Sequence, residues 1–236
     1  MRKYLIVAFA ALTAIAFATA AIAQTPAQSM KVKIAPKKAG TKKKPKNASI
    51  TLDISNNEST RTLGKLTVTS PKTFRLSAKG LKKCSESTLE NSGPDACPKK
   101  SKIGGGTAAA LLGVNGNAPS PLDFKVTAVV LGAKKLGFFL AAQQAPVNVL
   151  APATIKGRKL TITVPDAAQQ PATGVWAGLK SIHTVLKGKQ GKNYLAATTG
   201  CKGGKHKFST VLTFVDNTVP GTAGNETVKG SSKCSK

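Results

Sequence analysis

Few side chains in this sequence carry chemistry: four cysteines, two histidines, one tryptophan, and nine carboxylates against 36 lysines and arginines. The densest stretch is "KKCSESTLENSGPDACPKKSKIGGGT", Lys82 to Thr107, which holds Cys84 and Cys97, three carboxylates and a glycine triplet. Ser87 stands three residues ahead of Glu90, the spacing of a capping box that would start a helical turn. Glu86 and Glu90 then share a face at i, i+4. A glycosidase needs two carboxyls about 5 to 9.5 Å apart, and Asp53, Glu86, Glu90, Asp95, Asp123, Asp166 or Asp216 would have to supply them. Against that reading, Glu86 and Glu90 have Lys82, Lys83, Lys99 and Lys100 as neighbours, which balance solvated carboxylates.

Zinc sites pair their ligands closely, as in C-x2-C, and Cys201 and His206, five apart, do not match. Neither His183, in "SIHTVL", nor His206, in "GGKHKFS", is accompanied by a nucleophile elbow. "GGGT" at Gly104 to Thr107 lacks the lysine and hydroxyl of a phosphate loop and is read as a turn into the next strand. Trp176 has a sugar-stacking reading, but a lone tryptophan in an all-β domain is read as core. No catalytic residue, metal or cofactor is expected.

The lysines are the stronger signal. Formal net charge is +27, an excess that attracts polyanions and weakens as salt screens it. Three segments concentrate it: Lys37, Lys38, Lys42, Lys43, Lys44 and Lys46; then Lys187, Lys189 and Lys192; then Lys202, Lys205 and Lys207. If these loops share one end of the fold they form a cationic patch. Lysine suits diffuse attraction, whereas arginine reads phosphate or carboxylate bidentately. Aromatics are scarce among the lysines, so base stacking on nucleic acid is not supported. The competing reading is solubility and protection of strand edges.

The elements that must position these residues are strands. "MKVKIAP" alternates Val32 and Ile34 with Lys31 and Lys33, a strand with one wet face. "KKAGTKKKPK" is too polar to fold alone and reads as an exposed loop or linker. From Asn47 the apolar period is two in segment after segment, through "ASITLDIS", "GKLTVTS" and "LDFKVTAVVLG" to "HKFSTVLTFVDN". "VVLGAKKLGFFLA" is a hairpin with Gly132 to Lys135 at its tip, and Gly137 reads as a bulge. Roughly ten short strands at this spacing predict an all-β, antiparallel β-sandwich.

Residues 1–23 read as a signal peptide: Arg2 and Lys3, an apolar run, then Ala21-Ile22-Ala23 before Gln24. The alternative is an uncleaved anchor, the run being close to bilayer length. Residues 24–46 hold the first strand and lysine-rich loop, 47–216 the sandwich, and 217–236 a flexible tail tied by Cys234. No transmembrane helix is expected after cleavage.

In an oxidising compartment four cysteines allow three pairings. Sequence proximity favours Cys84 with Cys97 and Cys201 with Cys234. The segment from Pro71 to Ala110, with its C-P-x-x-S-x-I-G-x-G-x-A stretch from Cys97 to Ala108, resembles a group of uncharacterised secreted actinobacterial proteins. That resemblance implies a secreted β-sandwich with a local disulfide and carries no activity. The expected function is non-enzymatic: a secreted or surface-associated protein attracted to anionic envelope polymers. A secreted polysaccharide hydrolase and a self-assembling envelope component are the alternatives.

Overall fold

The computed structural model describes residues 28–57, 60–116, 119–217 and 223–236. The expected signal peptide, residues 1–23, lies outside them. In chain order the strands are β1 (Gln28–Ala35), β2 (Lys46–Asn47), β3 (Ser49–Asn56), β4 (Thr62–Thr69), β5 (Phe74–Leu76), β6 (Lys102–Leu112), β7 (Ser120–Val130) and β8 (Lys135–Ala142). They continue as β9 (Asn148–Lys156), β10 (Lys159–Thr163), β11 (Ala177–Leu186), β12 (Lys189–Gln190), β13 (Asn193–Tyr194), β14 (Ala196–Thr198), β15 (Lys205–Val215) and β16 (Gly224–Lys233). Two short helices, α1 (Glu86–Ser92) and α2 (Asp166–Gln169), sit between strands.

The expected all-β, antiparallel, disulfide-stapled architecture forms. Eleven strands make one sheet in the order β1-β3-β11-β6-β7-β8-β9-β10-β4-β15-β16, and every pairing in it is antiparallel. Alternation drives the sheet to curl. β1 buries every second residue, Met30, Val32 and Ile34 among them, against exposed Lys31 and Lys33, and a twisted sheet with one apolar face buries it best by rolling that face inward. The roll nearly closes. Ten antiparallel pairings return the eleventh strand to the direction of the first, so the seam between β1 and β16 is parallel. It is held by Ser232 Oγ, which accepts from Ile34 N at 2.9 Å, and by a parallel bridge of Lys38 with Ser235.

One end of the rolled sheet is plugged by β2, β14 and β5, a small sheet of their own. Phe74, Ala78, Leu81, Leu195 and Ala196 are buried there. Phe74 packs edge-on against Phe208 at 5.5 Å between centroids and against His206 at 6.2 Å.

The stretch quoted first is a stapled surface loop. Cys84 and Cys97 are bonded, as are Cys201 and Cys234, so the pairing favoured by proximity is the one found. Fully buried Leu89 of α1 packs with Cys84, Cys97, Val129 and Phe139, a second small core on the outer wall of the sheet. The helix is capped by Ser85, whose Oγ accepts from Thr88 N at 3.0 Å, so the expected capping box at Ser87 and Glu90 does not form.

Three further expectations are corrected. Residues 224–233 are not a flexible tail: they form β16, paired along almost the whole of β15, because ladder bonds and the Cys201–Cys234 staple hold a strand with little apolar content. The glycine triplet is not a turn but the start of β6. A Cβ on Gly105 or Gly106 would lie 2.3 Å from the Val126 carbonyl or 1.9 Å from that of His183, so β6 fits between its neighbours only without side chains there. Gly137 is no bulge: β8 stays in register through it. A Cβ there would lie 3.0 Å from Leu89, so the glycine makes room for the helix.

Candidate functional site

Strand direction decides where the charges go. β1, β4, β7, β9, β11 and β16 finish at the plugged end, and β3, β6, β8, β10 and β15 start there. Every connection at that end carries lysine or arginine. At the far end the connecting segments are 57–61, 113–119, 143–147, 164–176 and 216–223. None contains a lysine, and their one arginine is Arg61. Arg61 is buried over the Phe214 ring at 4.0 Å and pairs with Glu226 at 3.0 Å. Asp166 and Asp216 lie at this far end. The molecule is therefore polarised along its axis, basic at the plugged end.

All twelve lysines singled out from the sequence belong to the basic end, and eleven are exposed, Lys46 being half-buried. Lys37, Lys38, Lys42, Lys43 and Lys44 lie in the connection after β1. This loop is pinned: Gly40 N donates to Thr198 Oγ1 at 3.1 Å and Ala39 N to Ser235 O at 2.9 Å. Lys46 is in β2. Lys187, Lys189 and Lys192 surround the β12–β13 hairpin, which is stitched to the disulfide loop: Gln190 accepts from Lys82 N at 2.8 Å and donates to Lys100 O at 2.7 Å. Lys202, Lys205 and Lys207 lie at the start of β15.

Three clefts result. Lys44, Arg75, Lys79 and Lys192 line an open cleft of about 750 Å³ that includes Tyr194. Lys100, Lys102, Lys187 and Lys189 line a second of about 450 Å³, on the other side of the same hairpin. Arg158, Lys205, Lys207 and Lys229 line a third of about 470 Å³. Half of these residues were missed in sequence: Arg75, Lys79, Lys100, Lys102, Arg158 and Lys229 stand singly or in pairs, outside the lysine runs. Only the direction of the strands gathers them.

The carboxylates do not assemble in the same way. Asp53 pairs with His183 Nδ1 on the open outer wall, facing solvent. Glu86 pairs with Lys135 at 2.5 Å. Asp123 accepts from Gln144 at 3.0 Å. Glu90 and Asp95 border one shallow depression with Lys125. There the hydrogen bond and charge of Lys102, 2.8 Å away, hold the Asp95 carboxyl below its ordinary pKa, the reverse of what a general acid needs. Among the described residues no group of three His, Cys, Asp or Glu is placed to hold a metal ion, and no helix is long and apolar enough to cross a membrane. His206 is fully buried, accepting or donating at Thr73 Oγ1 over 3.3 Å, with Nε2 unpartnered among the described residues. Trp176 is half-buried at the far end and hydrogen-bonded through its backbone to Asn115 and Gly113.

Comparison of the chain with the models of known protein families, with curated proteins and with solved structures finds no match.

Proposed function

We propose that this is an exported, non-enzymatic binding protein that docks through its basic end on anionic polymers of the cell envelope. The observation that carries the reading is axial segregation: lysine-bearing connections at one end, lysine-free connections at the other. A net charge serving solubility alone has no reason to be sorted by end. Lysines are flexible point charges without the planar fork of arginine, and three open clefts around one rim suit a repeating anion lying across the end better than a single small ligand. Two disulfides fit an oxidising compartment, and residues 1–23 fit export.

The test compares two variants that remove the same charge. One neutralises Lys44, Arg75, Lys79 and Lys192; the other neutralises Lys31, Lys33, Lys65 and Lys125 on the outer wall. Retention on purified anionic cell-wall polymer, anionic vesicles and DNA is followed across a salt series. The reading expects selective, salt-sensitive retention on the wall polymer, lost in the first variant and kept in the second. Equal loss in both would mean that net charge alone acts, and the proposal would fall.

A further inference from the structure

The inside of the rolled sheet points to a second site, independent of the basic end. Protein interiors leave few voids larger than a water molecule. This one leaves an apolar cavity of about 120 Å³. The cause is legible in the registers. Gly104, Gly106 and Ala108 of β6 face Ala128, Val126 and Phe124 of β7 on one side and Leu186, Thr184 and Ile182 of β11 on the other. Ala108 lines the cavity with a single methyl group between the larger Phe124 and Ile182. Across the sheet, the lining position Ala151 pairs with Phe138, again a small residue where a larger one would close the space.

Among the described residues the cavity wall is hydrocarbon, with Thr184 the one polar side chain in its lining. Apolar cavities of about 150 Å³ stay dry and take up apolar molecules. The lining extends from Leu186, the last residue of β11, to Ala168 in α2 beyond the end of β10. Ile182 to Leu186 alone covers four residues of strand rise, roughly 13 Å. The space is therefore elongated along the axis. At the basic end the plug of Phe74, Leu195 and Ala196 is fully buried. At the far end Val164, Pro165 and Ala168 line the cavity and are themselves half-buried, so a four-residue helix is the cover.

We propose that the interior binds one linear acyl or alkyl chain with an uncharged head, admitted past α2, the head remaining at the lysine-free end. An elongated wall with a single polar side chain recognises length and little else. The acids at that end, Asp166 and Asp216, and the absence of lysine from its connections, disfavour an anionic head.

The test titrates the disulfide-bonded protein with 1-alkanols of increasing length in an isothermal calorimeter. Affinity should rise about fourfold per methylene, from the transfer of each CH2 out of water, and level off once the chain fills the cavity. Fatty carboxylates of equal length should bind more weakly. Leu52→Trp, which fills the space, should weaken alkanol binding at least tenfold, while Phe138→Ala, which enlarges it, should move the plateau to longer chains. Neutralising Lys44 and Lys192 should change neither. Vesicles of phosphatidylcholine distinguish a free chain from a bilayer: the proposal expects alkanol binding without co-sedimentation. No length dependence, an unmoved plateau in Phe138→Ala with a cooperative melt retained, or binding to vesicles alone would overturn it.

Discussion

A single methyl group on Gly106 tests whether β6 is wedged between its neighbours. Its Cβ would stand 1.9 Å from the His183 carbonyl oxygen, 2.9 Å from its carbon and 3.0 Å from Thr184 Cα, all backbone. Reaching an ordinary contact requires β6 and β11 to part by about 1.5 Å, in a ladder whose strands sit only about 4.8 Å apart. Two flanking ladder bonds would be lost at about 1 kcal/mol each, and overpacking adds about 2 kcal/mol. Gly106→Ala should therefore cost about 4 kcal/mol, or roughly 8 to 16 °C in Tm for a chain of this size. Gly113→Ala is the control: at φ +72° with open space around it, it meets only the left-handed penalty of about 1 to 2 kcal/mol. Thermal melts by circular dichroism, with urea midpoints alongside, measure both. If Gly106→Ala melts within 2 °C of the parent, or above Gly113→Ala, the wedge argument is refuted.

Two other perturbations read the frame. The staples close loops with sequence separations of 13 and 33 residues, so loop entropy assigns about 3 kcal/mol to Cys84–Cys97 and about 4 kcal/mol to Cys201–Cys234; paired serine variants in urea should lose stability in that order, and the reverse order would show that strain or unfolded-state structure dominates. Burial lowers the pKa of His206 from its ordinary 6.5, so the unfolded chain takes up the proton first: stability is complete above about pH 6.5 and falls as pH drops below it. His206→Phe should flatten that slope between pH 7.5 and 5.5, and parent and variant with the same slope would exclude His206 as its source.

Much of this was legible locally. Alternation marks β1, β3 and β15 because each buries one face, and the Gly132–Lys135 tip declares its hairpin. Proximity chose the disulfides. β16 was not legible, since "GNETVKGSSK" buries little beyond Val228 and Ser232 and owes its strand to a partner nearly twenty residues earlier in sequence. Nor was the triplet: three glycines read as a turn unless the backbones on both sides are in view. A period of two is the same in a sandwich and in one rolled sheet, so the closure had no local signature. The basic end was half legible. Runs such as Lys42 to Lys44 announce themselves, whereas Arg75, Lys79 and Arg158 join the patch only once strand direction is known. The cavity left no mark at all, because its lining residues are ordinary inward-facing apolar positions.

The seam between β1 and β16 dictates an order of assembly. Ile34 and Ser232 meet across 198 residues of chain, whereas β7–β8, β8–β9 and β15–β16 are hairpins that form from neighbours. Non-local pairings are made late, after the entropy of the intervening loop has been met. A growing chain that stops short of residue 224 has the β7–β8 and β8–β9 hairpins but lacks β16, which leaves the β15 edge open beside an unsealed apolar face. Folding of this protein is thus a matter of timing: the strand of this sheet that comes latest in the chain is also the one that locks the first, and until then the sheet cannot shut.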